Sequence, residues 1–281
     1  MSAGDAHTPA GRNANVRHAR FVLAVIALGL LTWGLSIASP SVPWPIETSP
    51  LAARGAFVLA FVWVSIECLA GATLAPEVAP RRLILTGLVG ALAMVGLALG
   101  GVSLSPLTTA LVGVLLVLAG SSAGAWVGGR IQHAGHLGVV AVVSSIADAA
   151  SVLQPSGPTA QILESAPTLS FLTLGAPMLG TADVPPILGV GDVVMSALYV
   201  AAARKHQLAQ RRTWIALAAG LAAAMTVVLV LELPLPALPF LGVAILVAHP
   251  EARLPPPKER VQAAIGVAIL LAIVAYVFLR G

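Results

Sequence analysis

Charge is what this sequence lacks most. Only 9% of its 281 residues are Asp, Glu, Lys or Arg, where a soluble domain carries about 25%. That leaves too few charges to solvate a globular surface. Cysteine comes next: the single Cys68 excludes an internal disulfide and any metal centre built on clustered cysteines. No His-Glu-x-x-His segment occurs, so the zinc-peptidase signature is absent. Aromatic residues make up only 5% while Ala and Gly abound, a composition that suits close helix contacts. The net charge of +4 is carried by bases in short loops between apolar runs. Such loops set membrane orientation and call for no nucleic-acid partner.

What is present is apolar length. The chain is 58% hydrophobic, its mean hydropathy is +0.96, and helix-length apolar runs recur throughout. They lie at about 21–38, 55–75, 83–104, 107–128, 137–153, 186–203, 213–233, 235–248 and 261–279. This predicts an all-α, polytopic membrane protein of about nine transmembrane helices embedded in a lipid bilayer. Residues 1–20 read as a disordered basic lead. The 18-residue core Phe21–Ala38 exceeds the usual signal-peptide core and is expected to remain as the first helix. The 14-residue run at 235–248 is short for a full span and suits a partly re-entrant segment. Gly120, Gly124 and Gly128, four apart, form a smooth ridge along which a neighbouring helix can approach. Glu67, mid-run, reads as a hydrogen-bonded structural acid or the lining of a water-filled cavity.

With the N-terminus cytoplasmic, the inner segments hold 13 of the 15 Lys and Arg residues; Arg54 and Arg280 fall outside. Such a split orients the chain with residues 154–184 as an outer loop, and the expected location is the cell membrane.

Two acids interrupt the apolar runs on either side of that loop. Asp192 follows Gly189 and Gly191 in "PPILGVGDVVMSALYV" (185–200), read as one helix-length run, and Asp148 lies in "LGVVAVVSSIADAASVL" (137–153). An ionisable residue inside a membrane helix marks a functional site when a partner can be named. Counted from Pro155 and Pro186, the acids lie roughly 10 Å and 9 Å from their helix ends, at about equal depth on antiparallel helices. Ser144 and Ser151 beside Asp148, and Ser196 and Tyr199 beside Asp192, add polar stripes that suit a water-holding space. Paired carboxyls divide the chemistry between them. One stays protonated and polarises a peptide carbonyl, while the other, ionised, takes a proton from attacking water. No metal and no cofactor is needed. Gly189 and Gly191, without Cβ, leave room for a substrate backbone. On spacing alone, the acids equally suit a proton or ion pathway.

A proline-rich stretch, "LPLPALPF" (233–240), opens the next apolar run. Prolines 234, 236 and 239 keep it out of regular helix, and irregular backbone at membrane depth needs cover from protein or a water cavity. It reads either as a segment beside the acids or as a plain helix start.

Three motifs in order resemble the presenilin and signal peptide peptidase family of intramembrane aspartyl proteases. "GVGD" at 189–192 looks like its GxGD motif, "PALP" at 236–239 like its PAL motif, and "IADAASVLQPSGP" at 146–158 like the segment after its first catalytic aspartate. The resemblance spans about 95 residues. It implies Asp148 and Asp192 as the catalytic pair, with Gly189, Gly191, Pro236, Ala237, Leu238 and Pro239 shaping the site. It also implies that the partners are transmembrane helices of membrane proteins or signal peptides. Two departures stand out: Ala147 replaces the family tyrosine, and a further run (261–279) follows the PAL run; the motif around Asp148 looks like presenilin, while the inferred orientation looks like signal peptide peptidase. The implied organisation is a lead (1–20), N-terminal helices (21–136), a catalytic core (137–249) and a closing loop and helix (250–281).

Other readings carry less. Val194 stands where prepilin peptidases have lysine. Ser103 and His249 fall at opposite membrane faces, which excludes a rhomboid-like serine site, and His133 and His136 sit in a polar inner turn. A relative that binds membrane helices without cutting them, and an ion or proton conductor using the same acids, remain the alternatives.

Overall fold

The computed structural model describes residues 9–102, 105–154, 166–232 and 235–280. It is mostly helical: α1 Pro9–Ala38, α2 Pro50–Leu74, α3 Pro80–Leu99, α4 Pro106–Gly128, α5 His136–Leu153, α6 Ala166–Leu172, α7 Val190–Lys205, α8 Gln210–Leu231, α9 Leu238–Ala248 and α10 Arg260–Arg280. Two short strands, β1 Thr173–Gly175 and β2 Pro186–Gly189, lie between α6 and α7. Helices α2, α3 and α4 each open on proline at the first helical position, where its missing N–H costs nothing. Helix α8 stops at Glu232, which adopts φ 55° and ends it in the left-handed conformation.

Six helices among the described residues are long and apolar enough to cross a membrane, which marks a helical membrane protein: those in α1, α2, α3, α4, α8 and α10. Helices α5 and α9 are apolar but shorter. Each of the nine apolar runs contains a helix, but the 186–203 run is not helical throughout. Its first four residues form β2 instead. Pro186 cannot donate to a helix, Ile187 and Leu188 suit a strand, and Gly189 is a poor helix former. The helical reading of 186–189 is corrected by this strand, while the chain as a whole is mostly helical, as expected of an all-α membrane protein.

Contacts divide the chain into two units, 1–127 with 170–201 and 128–169 with 202–281. In the first, α4 is the centre. Gly29 of α1, Gly71 of α2 and Gly90 of α3 each face α4 so closely that an added Cβ would meet Val114, Ser121 or the Leu115 carbonyl. The strands pair antiparallel, Thr173 opposite Gly189 and Leu174 opposite Leu188, with a bulge before Gly175. The connection between them is strapped to the α1–α2 loop. Ser39 Oγ donates to the Met178 carbonyl, and Gly180 N–H donates to the Ser39 carbonyl at 3.0 Å. Gly180, at φ 86°, lies against Trp44, where no Cβ would fit.

In the second unit, α9 packs on both α5 and α8, and α10 on α5. Gly242 of α9 meets Ala141 and Ser145 of α5, and Gly220 of α8 meets Phe240 and Leu241 of α9. The far end of α9 is tied by a chain of polar groups. Thr213 Oγ1 and His249 Nε2 lie 2.9 Å apart, and His249 Nδ1 is 3.4 Å from Glu251 Oε1, with Thr213 and His249 fully buried.

Candidate active site

Asp148 sits on α5, half-buried, and its Oδ2 accepts a hydrogen bond from the backbone N–H of Leu238 at 3.0 Å. The geometry follows from the proline stretch. Pro236 is non-helical and buried, Ala237 is the N-cap of α9, and Leu238 is its first helical residue. The first N–H groups of a helix have no partner inside it. Pro239 has no N–H to offer, so Leu238 presents a free donor, and Asp148 takes it from the neighbouring helix. The PALP stretch therefore starts outside helix and lies beside Asp148. Asp148 Oδ1 has no hydrogen-bond partner among the described residues. The Ser144 hydroxyl bonds back to the Ala141 carbonyl at 3.2 Å.

Asp192 belongs to the other unit. It is the third residue of α7, and its Oδ2 accepts the Gly189 N–H at 3.1 Å. This is half of a capping box: an acid at the third helical position reaching back to the N–H that precedes the helix. The GxGD stretch is thus the joint between β2 and α7. Helical rise from Pro186 therefore does not measure the depth of Asp192, and the equal depth expected for the two acids loses its basis. Gly191 is exposed, with nothing within 4 Å of where its Cβ would be, and Gly189 would bring a Cβ to 3.5 Å from Asp192 Oδ2. A side chain added at 191 would therefore meet open space.

The glycine ridge of α4 seats this joint. A Cβ on Gly120 would lie 3.0 Å from Val193, and one on Gly124 only 2.0 Å from the Val194 carbonyl oxygen. Backbone contact with α7 immediately after Asp192 thus depends on those glycines. The polar stripe on α7 is not a water space, however. Ser196 is 0% and Tyr199 1% exposed, because α7 is buried on every side from Met195 to Ala203.

Glu67 is buried at 5% exposure, and its Oε1 accepts from Trp63 Nε1 at 3.0 Å and from Thr32 Oγ1. A void of about 10 Å³, room for a single water, touches both Glu67 and Thr32. His136 Nε2 lies 2.5 Å from Glu259 Oε2, and His133 Nδ1 accepts the Gly135 N–H. Ser103 of the serine-site alternative, and residues 155–158 of the first motif, lie outside the described residues.

Three features were missed from sequence: the β1–β2 hairpin, the Leu238 donor, and the Thr213–His249–Glu251 chain. The hairpin left a trace in Pro185–Pro186 and Gly189, which bracket a short apolar run as strand boundaries do. The other two depend on residues 90 and 36 positions apart and leave no local signal. Compared with protein-family models and with curated proteins, the chain matches none.

Proposed function

We propose that this protein is an intramembrane aspartyl endopeptidase that hydrolyses peptide bonds in or beside the transmembrane segments of membrane proteins or signal peptides. The observation that carries the reading is the 3.0 Å bond from Leu238 N–H to Asp148 Oδ2. It joins two motifs 90 positions apart in the way a shared site would. Further support comes from the second acid, fixed by the Gly189 N–H at a strand–helix joint whose glycine leaves its flank open.

In the proposed reaction Asp148 and Asp192 act on one substrate carbonyl with a single proton between them. The ionised carboxylate takes a proton from water as its oxygen attacks the carbonyl carbon. The protonated carboxyl gives a hydrogen bond, then its proton, toward the carbonyl oxygen. Collapse of the tetrahedral intermediate breaks the C–N bond as the nitrogen is protonated. A membrane helix hides its peptide bonds, so the substrate must be extended first. The two-stranded sheet at β1 and β2 has an outer edge on each strand, the kind of backbone surface on which an extended chain can pair. The fold proposed is presenilin-like, with nine spans that include the shorter α5, α7 and α9. The N-terminus is cytoplasmic, residues 154–184 are outside, and the membrane is the cell membrane.

The test is incubation of the purified protein in micelles with a single-pass substrate and mass mapping of the products. A cut inside or next to the membrane segment, with a rate that falls at both acid and alkaline pH, is the expected result. Ala147, in place of the family tyrosine, favours a second reading, a relative that binds membrane helices without cutting them. Bound but intact substrate at every pH would establish that one instead.

A further inference from the structure

A cleft of about 190 Å³ opens beside the hairpin, lined among others by Thr109 of α4, Ser170 and Thr173 before and on β1, Asp183 in the turn before β2 and Pro186 at its start. Asp183 is the one ionisable side chain among the described residues that line it. Its carboxylate is exposed and makes no hydrogen bond or ion pair with any described residue. Its backbone, by contrast, is fixed: the Asp183 carbonyl accepts from Met178 N–H at 3.0 Å, and Asp183 N–H donates to Thr181 Oγ1 at 3.1 Å. The same turn is strapped through Gly180 to Ser39 and Trp44. An exposed carboxylate with no cation partner among the described residues, on a pinned turn in a cleft that Thr109, Ser170 and Thr173 also line, has the chemistry of a receptor for an ammonium or guanidinium group.

We propose that this cleft is a subsite for a basic side chain of the substrate. The proposal rests on the proteolytic reading for the identity of the ligand and adds its specificity. Thr173, Gly175 and Pro186 of the hairpin line the cleft, and β2 runs on through Gly189 to Asp192, so a chain laid along β2 crosses both. The charge of the surroundings agrees. In the inferred topology the outer segments carry three acids, Glu47, Glu164 and Asp183, against only Arg54 and Arg280. A Lys or Arg just outside a substrate's membrane segment therefore meets a field of opposite sign.

The experiment measures binding, which does not depend on cleavage. Fluorescent single-pass peptides carrying Lys, Gln or Glu at one outer flanking position are titrated onto the full-length protein in nanodiscs of neutral lipid. The Lys peptide is expected to bind about three- to fivefold more tightly than the Gln peptide at low salt, the size of one partly exposed ion pair. That margin should shrink at high salt. Asp183→Asn should abolish it, and Asp183→Lys should transfer the preference to the Glu peptide. Equal margins in the wild type and Asp183→Asn, or no peptide binding at all, would overturn the subsite. A charge preference that follows residue 183, in a protein that cuts none of the peptides, would uphold the subsite while removing the protease.

Discussion

Gly124→Ala adds one methyl group where α4 touches α7. The new Cβ would lie 2.0 Å from the Val194 carbonyl oxygen and 2.9 Å from Ala197 Cβ, whereas ordinary contact begins at 3.4 Å. Helix α7 would have to retreat by about 1.4 Å, because the obstructing atom is backbone and cannot rotate away. Such overpacking costs about 1–3 kcal/mol, set against about 1 kcal/mol gained from replacing a helical glycine. Val194 is two residues beyond Asp192, so the retreat also moves the acid. A displacement of about 1 Å at a reacting group is enough to lower turnover about 100-fold. The matched control is Gly96→Ala on α3, where nothing lies within 4 Å and only the propensity gain remains. Thermal unfolding in micelles, with substrate cleavage read in parallel, should show Gly124→Ala less stable and nearly inactive and Gly96→Ala unchanged or slightly more stable. Indistinguishable variants would refute the reasoning that the ridge seats α7.

Other outcomes follow from the same contacts. Asp148→Asn retains an oxygen to accept the Leu238 N–H and should fold normally but lose activity, while Asp148→Leu should in addition lose about 1–3 kcal/mol of stability in thermal unfolding. Thr213→Val leaves the buried His249 Nε2 without its partner and should cost about 1–3 kcal/mol in the same assay. Pro236→Ala gives the PALP start freedom to become helical; activity should fall with both acids intact, and full activity would make the segment a plain helix start. Ala182→Cys in a Cys68→Ser background should react with a membrane-impermeant maleimide in intact cells; reaction only after permeabilisation would reverse the orientation.

What the sequence made legible was whatever hydrophobic length and local chemistry dictate. Each of the nine apolar runs contains a helix among the described residues, because burying or solvating a run of that length admits few other structures. The ridge at Gly120 and Gly124 could be read because a missing Cβ has one main use on a membrane helix. The placement of PALP beside Asp148 was legible only through motif order. The bond that secures it joins a backbone N–H to a side chain 90 positions away, and no composition records that. The misreading at 186–189 has a local cause. A short apolar run next to a longer helical one has no period of its own, and only its prolines and glycine mark it as strand. Likewise, Ser196 and Tyr199 looked like a wet face because spacing gives a face but not what covers it.

The most direct measurement is the rate at which the purified protein cleaves a single-pass membrane substrate, compared with that of Asp192→Asn under the same conditions. The amide keeps the shape of the side chain and an acceptor for the Gly189 N–H, so the β2–α7 joint should stay folded. It removes the carboxyl's proton chemistry, so cleavage by the wild type and none by the variant is the result expected of an aspartyl protease. Equal cleavage by both proteins would contradict the account and leave Asp192 to a proton or ion pathway.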